Sequence, residues 1–238
     1  MSDRIRDKKV AVISGATGGL GSELCREFVR GGFEVVGLYL RNDAAAAELQ
    51  RDLGAGAVLL RQDITVEDDW RGLEVLLKER SGSEFTVIAN ASAQFIPKPF
   101  HLLDPADFEE LYRVNVVGAV RLLGKVLPRM IRGKRGRFVG VLSSAMEPPS
   151  KGFAAYAAAK SALRSLTRSI SLEYGERGIR SFSVSPGFME TPLTDRWSDH
   201  LRASLDRKES REPSEVARRI CELVNDPDAG LKGEDHRV

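Results

Sequence analysis

Apolar residues follow two alternating rhythms along the chain. Short, nearly continuous apolar runs occupy residues 10–13, 35–40, 58–60, 86–89, 138–142 and 181–184. Such runs predict strands buried on both faces of a sheet. Between them, apolar positions recur every three or four residues, which predicts helices over 20–30, 44–53, 68–78, 105–130 and 154–176. A late amphipathic helix is expected over 214–224, with Ser214 as its cap. Strands that alternate with helices imply a parallel sheet covered on both sides, joined by right-handed crossovers. No internal repeat, low-complexity tract or Pro/Gly-rich linker interrupts the pattern. A single doubly wound α/β domain spanning 1–238, with about six to seven strands, is the architecture expected.

Composition narrows the function without naming it. The 238 residues are 42% hydrophobic and 29% charged, with a formal net charge of +2. Those are ordinary values for a globular chain with a sizeable core. So small a charge argues against strong attraction to nucleic acid or to a membrane surface. No stretch approaches the roughly 18 apolar residues of a membrane span. Met1-Ser2-Asp3-Arg4 leads into no apolar run, so no signal peptide is expected and a cytoplasmic location is. Cys25 and Cys221 lie far apart in helical patterns and read as buried thiols; no metal site is expected.

Chemistry enters with Tyr156 and Lys160, four residues apart in a helical stretch. On a helix such positions share one face, about 5–6 Å apart at Cβ. A fixed cation beside a phenol favours the phenolate, so a lowered Tyr156 pKa is expected. A second signal lies at the other end of the chain. The run Val10-Ala-Val-Ile-Ser-Gly-Ala-Thr-Gly-Gly-Leu-Gly joins the first strand to the first helix. Gly15, Gly19 and Gly21 permit a tight turn and close backbone approach, which leaves a helix N-terminus to face a pyrophosphate.

Taken together these motifs resemble those of the short-chain dehydrogenase/reductase family, over residues 8 to 233. Ser14-Gly-Ala-Thr-Gly-Gly-Leu-Gly is similar to its Thr-Gly-x-x-x-Gly-x-Gly motif, with Ser for Thr. Asp63-Ile64, Asn90-Ala91-Ser92, Asn115 and Pro186-Gly187 with Thr191 match further motifs in order, although Ala89 and Ser92 depart from the family's Asn and Gly. The resemblance implies a Rossmann-type fold and hydride transfer between a nicotinamide and a carbonyl or alcohol carbon. It implies a catalytic set of Asn115, Ser143, Tyr156 and Lys160. Two serines compete for one role: Ser143 stands 13 residues before Tyr156, the family's usual spacing, and Ser144 follows it. Cofactor contacts implied are Gly15, Thr17, Gly18, Gly19, Leu20, Gly21, Arg41, Asp63, Ile64, Asn90, Ala91, Tyr156, Lys160, Pro186, Gly187 and Thr191.

Leu40 stands where NAD-preferring relatives usually carry Asp, and Arg41 follows it, which favours NADP(H) over NAD(H). Asp43 nearby reads as a helix cap. The substrate is less legible. Residues 189–212 should form a lid whose Trp197, His200 and Leu201 could line a pocket or pack between helices. The closest general resemblance is to 3-oxoacyl-acyl-carrier-protein reductases. That implies a small or carrier-bound carbonyl substrate, with Lys134 and Arg177 at the active-site mouth. Arg129, Arg132, Arg135 and Arg137 add charge there, or simply complement a helix C-terminus. Oxidation of a polyol, sugar or steroid alcohol, and a non-catalytic NADP sensor, remain open. A homodimer or homotetramer is expected through the helices at 105–130 and 154–176, where Leu122, Leu123, Val126, Leu127, Ala158, Leu163 and Leu166 serve either an interface or the core.

Overall fold

The computed structural model describes residues 8–67, 70–205 and 210–238. Seven strands form one parallel sheet: β1 (Lys9–Ser14), β2 (Glu34–Tyr39), β3 (Ala57–Arg61), β4 (Glu84–Ala89), β5 (Gly136–Val141), β6 (Ile179–Ser185) and β7 (Asp235–Arg237). Their order is β3-β2-β1-β4-β5-β6-β7. The winding therefore reverses between β1 and β4, whose carboxyl ends flank the crevice where such sheets hold ligands. Central strands are buried beyond their first residues, as at Val10, Ala11, Val12 and Ile13. That double burial explains why they read as unbroken apolar runs.

Helices α1 (Gly19–Arg30), α2 (Asp43–Leu53), α3 (Arg71–Glu79), α4 (Pro105–Tyr112), α5 (Gly118–Gly133), α6 (Ala154–Tyr174), α7 (Asp199–Ser204) and α8 (Pro213–Asn225) cover the sheet. One face packs Leu24, Phe28 and Ile220 against Ile13 and Val35. The other packs Leu73, Leu122, Val126 and Leu163 against Val12, Val87 and Phe138. A third cluster gathers Phe153, Tyr156 and Trp197 beyond the carboxyl ends of the strands.

Several expectations are corrected here. The helix expected over 105–130 is divided: a π-helical turn, Arg113–Val117, separates α4 from α5. Apolar spacing cannot register the one-residue slip of such a turn. The second strand ends at Tyr39, and Leu40 lies outside it, 40% exposed. Asp43 is not the cap of α2; Asn42 is, its side chain accepting from the Ala45 N–H. Likewise α8 starts from Glu212 with Pro213 at its first position, one residue ahead of Ser214. Residues 68 and 69, where the third helix was expected to begin, lie outside the described residues. Strand β7, Asp-His-Arg, has no apolar rhythm because it is an edge strand held by pairing to β6 alone.

The helix residues offered for a subunit interface are mostly core. Leu122, Leu123, Val126 and Leu163 are buried within the chain, Leu127 and Leu166 pack against the same cluster, and Ala158 is exposed. Among the described residues, no helix is long and apolar enough to cross a membrane. Cys25 and Cys221 are free and buried, and burial pushes their thiols up to about 12 and about 11.

Candidate active site

The crevice is built first by the turn between β1 and α1. Gly15 has φ +72°, a conformation that a side chain would strain. A Cβ on Gly21 would lie 1.9 Å from the Gly15 carbonyl oxygen, so the helix could not start so close to the strand with any other residue. Helix α1 starts from Gly18 at its N-cap, with no side-chain cap and no acidic residue in its first turn. Its leading N–H groups and positive dipole end are therefore left for an external anion. The Gly18 N–H donates to the Gly15 carbonyl at 3.0 Å, and Thr17 Oγ1 donates to the Arg41 carbonyl at 3.1 Å. Thr191 closes the turn from above, 2.7 Å from where a Gly19 Cβ would stand.

Ser14 joins this turn to the next strand. Its Oγ accepts from the Asn90 and Ala91 N–H groups at 3.1 and 3.0 Å, while Asn90 Nδ2 donates to the Ser14 carbonyl at 3.0 Å. The substituted first residue of the glycine motif thus clamps β1 to β4 across the switch point. Asp63 organises the end of β3 by accepting from Thr65 N–H and Oγ1 at 2.8 and 2.7 Å, and buried Ile64 packs against Gly118. These groups leave a polar cradle along the crevice that suits a dinucleotide.

Tyr156 and Lys160 face one another as their spacing required, with Lys160 Nζ 5.6 Å from the Tyr156 ring centre. Both are buried, at 7% and 2% exposure. Lys160 Nζ donates to the Val141 carbonyl at 2.7 Å. The expected lowering of the Tyr156 pKa is overturned among the protein groups themselves. Burial pushes the phenol up to about 12 against the opposing influence of Ser143, and burial pushes Lys160 down to about 7. Desolvation of two neighbouring groups outweighs their attraction, because a lysine driven toward neutrality has little charge to offer.

Of the competing serines, Ser143 is the one that acts on the Tyr156 phenol, opposing the rise that burial causes, and its Oγ accepts from the Ala145 N–H at 3.2 Å. The Ser144 N–H is bound to the Pro186 carbonyl at 2.8 Å. Asn115 lies in the π-helical turn at 1% exposure, its Oδ1 accepting from the Ala93 N–H at 3.0 Å. Its Nδ2 is buried with no partner. An orphaned donor beside this crevice marks a place for a further acceptor.

Tyr156 and Ser143 open onto a cavity of about 320 Å³ whose walls include Phe153, Phe188, Leu193 and Trp197. Pro186, Gly187 and Thr191 line it as well. Of the expected lid, Trp197 and Leu205 line the cavity, Leu201 packs against the cluster behind it, and His200 is exposed. Residues 206–209 of the lid lie outside the described residues. Phe95 is the residue that sequence reading missed. Its ring stacks on Tyr156 with centroids 4.5 Å apart and planes 14° apart, and its carbonyl accepts from Trp197 Nε1 at 3.0 Å. Only its place shortly after Asn90-Ala-Ser could have hinted at this.

Lys134 and Arg177 are not at the cavity mouth. Lys134 caps the C-terminus of α5 just before β5, and Arg177 is separated from the start of β6 by Gly178 alone. Both sit at the amino ends of strands whose carboxyl ends carry the site, roughly 20 Å away at strand rise. The neighbouring arginines are used locally: Arg129 donates to the Lys125 carbonyl, Arg135 to the Gly82 carbonyl, and Arg137 pairs with Glu84.

A doubly wound sheet with this turn and this tyrosine–lysine pair defines a nicotinamide-type oxidoreductase scaffold, and comparison with known proteins agrees. The model of the short chain dehydrogenase family matches residues 9–202, and the chain belongs to that family of oxidoreductases. It is 32% identical to a cis-4-hydroxycyclohexanecarboxylate dehydrogenase of Sinomonas cyclohexanicum, over 92% of this chain and 90% of that protein. It is also 32% identical to the 7alpha-hydroxysteroid dehydrogenase of Escherichia coli K12, over 87% and 80% respectively. Among solved structures, a 3-ketoacyl-(acyl-carrier-protein) reductase from Brucella melitensis, complexed with NADH, superposes with a TM-score of 0.87 at 26% identity. That match covers 98% of this chain and 97% of the other.

Proposed function

We propose that the chain reduces a ketone to a secondary alcohol with NADPH, with Tyr156, Ser143, Lys160 and Asn115 as the working groups. The observation that carries this reading is that Tyr156 and Ser143 line one largely apolar cavity, with Lys160 Nζ 5.6 Å from the Tyr156 ring centre. When bound, the dinucleotide would supply the hydride. The first-turn N–H groups of α1 would hold its pyrophosphate, with Gly15, Thr17, Gly18, Gly19, Leu20 and Gly21 as the bed. Asp63, Ile64, Asn90 and Ala91 would line the adenosine side, and Pro186, Gly187 and Thr191 the far side.

Within the cavity the Ser143 hydroxyl would hydrogen-bond the substrate oxygen and orient it. Tyr156 would hand that oxygen its proton as charge develops there. A phenol held well above its ordinary pKa is protonated at neutral pH, which is the form a general acid needs. Lys160 would bind the ribose hydroxyls beneath the ring, and the Asn115 turn would lead protons toward solvent.

NADPH is favoured by the end of β2. Leu40 offers no carboxylate, and Arg41 is exposed beside the glycine turn, tied there through its carbonyl by Thr17. The nearby acid faces elsewhere: Asp43 lies 3.9 Å from Arg61 and acts on the Tyr39 phenol, raising its pKa.

For the substrate, the aromatic walls suit a ring, and two relatives are named for ring alcohols. A 3-oxoacyl thioester is the second reading, supported by the similarity to a 3-ketoacyl reductase. Carrier docking through Lys134 and Arg177 finds no support in their positions within the chain. A panel of cyclic ketones, 3-oxoacyl thioesters and quinones, followed by NADPH and NADH oxidation, tests the proposal. Turnover of a ketone with NADPH preferred is expected; no turnover of any carbonyl with either cofactor would refute it.

A further inference from the structure

Beside the substrate cavity lies a second one of about 600 Å³, at the open edge formed by β7 and α8. Its wall carries four guanidinium groups, Arg211, Arg218, Arg219 and Arg237, against one carboxylate side chain, Glu215. Among the described residues, Arg219 is paired with Glu222 at 3.0 Å. Arg211, Arg218 and Arg237 have no carboxylate partner within 4 Å among those residues. The two cavities meet at Ser144, Gly187 and Arg237, which line both. Arg237 therefore stands on the wall of the substrate cavity as well as on that of the arginine-lined one.

Arg237 is the one charged residue common to the two cavities. It projects from the last strand, and its Nη2 donates to the Glu147 carbonyl at 3.0 Å. The Glu147 carboxylate, which also lines the substrate cavity, is engaged by Arg164 at 2.6 Å and is held below its ordinary pKa mainly by that bond. The acid of the substrate cavity is thus already committed to Arg164, and Asp235 beside Arg237 accepts from Ser185 at 2.9 Å. A planar guanidinium with free donors, backed by a field of like charge, recognises a carboxylate or phosphate. A neutral ketone would gain nothing from it.

We propose that this arginine-lined cavity receives an anionic end of the substrate, so that the enzyme selects ketones or alcohols bearing a carboxylate or phosphate tail. The inference rests on the oxidoreductase reading above and adds the substrate's charge to it. The apolar cavity holds the carbon skeleton, Arg237 meets the anion at the junction, and Arg211 and Arg218 supply the surrounding field. The two anionic chemistries have different sources, a small ring or chain acid and a coenzyme A thioester, and matched substrates separate them.

The test compares kcat/KM within two pairs: 4-oxocyclohexanecarboxylate against its methyl ester, and acetoacetyl-coenzyme A against the acetoacetyl thioester of N-acetylcysteamine. The charged member of at least one pair should be favoured about tenfold or more, chiefly through KM, and added salt should erode the preference. The pair that shows it identifies the anion. In Arg237→Gln, and separately in Arg218→Gln on the exposed face of α8, the charged-to-neutral ratio should fall toward one. Equal kcat/KM within both pairs, or a ratio unchanged in both variants, would overturn the inference while leaving the reductase reading intact. Failure to reduce any of the four carbonyls or the wider panel would instead sink the reading on which it rests.

Discussion

Phe95 lies almost parallel on Tyr156, with ring centroids 4.5 Å apart and an interplanar angle of 14°. Phe95 is itself held edge-on by Phe153 and Trp197, at 5.5 and 5.3 Å, and Trp197 Nε1 donates to its carbonyl. The phenol is thereby fixed against rotation by neighbours that carry no chemistry of their own. Such stacking positions a reacting group through contacts worth about 0.5–1.5 kcal/mol per pair.

Replacing Phe95 with Leu should lower kcat about tenfold or more, since small displacements of a reacting group are costly. Dinucleotide affinity, read by fluorescence quenching, should change little because Phe95 faces Tyr156 and Trp197. Loss of cofactor binding with kcat preserved would assign Phe95 to the wrong side of the site.

Ser14→Ala should destabilise the fold. The change removes the acceptor of two part-buried N–H groups, those of Asn90 and Ala91. Unsatisfied donors of this kind cost about 1–3 kcal/mol. Chemical denaturation should show a reduced midpoint with an unaltered slope, and Ser14→Thr should retain most of the stability.

Lys160 should leave a pH signature in stability. Burial lowers its pKa from 10.5 to about 7, so between pH 7 and 10 the unfolded chain binds more protons than the folded one. Stability from this group therefore rises with pH across that window. Relative to Lys160→Met, the wild-type melting temperature should gain steadily from pH 7 to 10. The raised Tyr156 acts oppositely, but only above pH 10, where the unfolded phenol ionises first. A constant difference between the two proteins would contradict the assigned burial of the ammonium.

Arg41→Ala should cut the NADPH preference, and Leu40→Asp should invert it. An acid at position 40 would stand close to a 2′-phosphate, and like charges about 4 Å apart cost about 1–4 kcal/mol. The ratio of kcat/KM with NADPH to that with NADH is the readout.

How much of this was legible beforehand depends on range. The double-buried strands and the amphipathic faces of α1 and α8 are written in local apolar spacing, and the parallel sheet follows from their alternation. Gly15 and Gly21 declare the turn because no other residue fits it. The facing of Tyr156 and Lys160 followed from helix geometry, yet the sign of the tyrosine's shift did not. Spacing reports proximity, whereas desolvation depends on everything packed above the pair. The π-helical turn at Asn115, the stacking of Phe95 and the meeting of Arg237 with Arg211 and Arg218 are products of tertiary assembly. Residue 237 is brought to that wall by pairing of β7 with β6, and residue 211 by a backbone bond to the Phe188 carbonyl, which no local pattern encodes. Lys134 and Arg177 failed in the opposite way: their positions matched a motif, but they cap the wrong end of the sheet.

The most direct test of the account is Tyr156→Phe, which removes one hydroxyl and leaves the ring stacked on Phe95. Ketone reduction should fall about 10²–10⁴-fold in kcat, as expected for loss of a general acid, while dinucleotide affinity and melting temperature stay near wild type. A variant that keeps most of its reductase activity with cofactor bound would contradict the assignment of proton transfer to this residue.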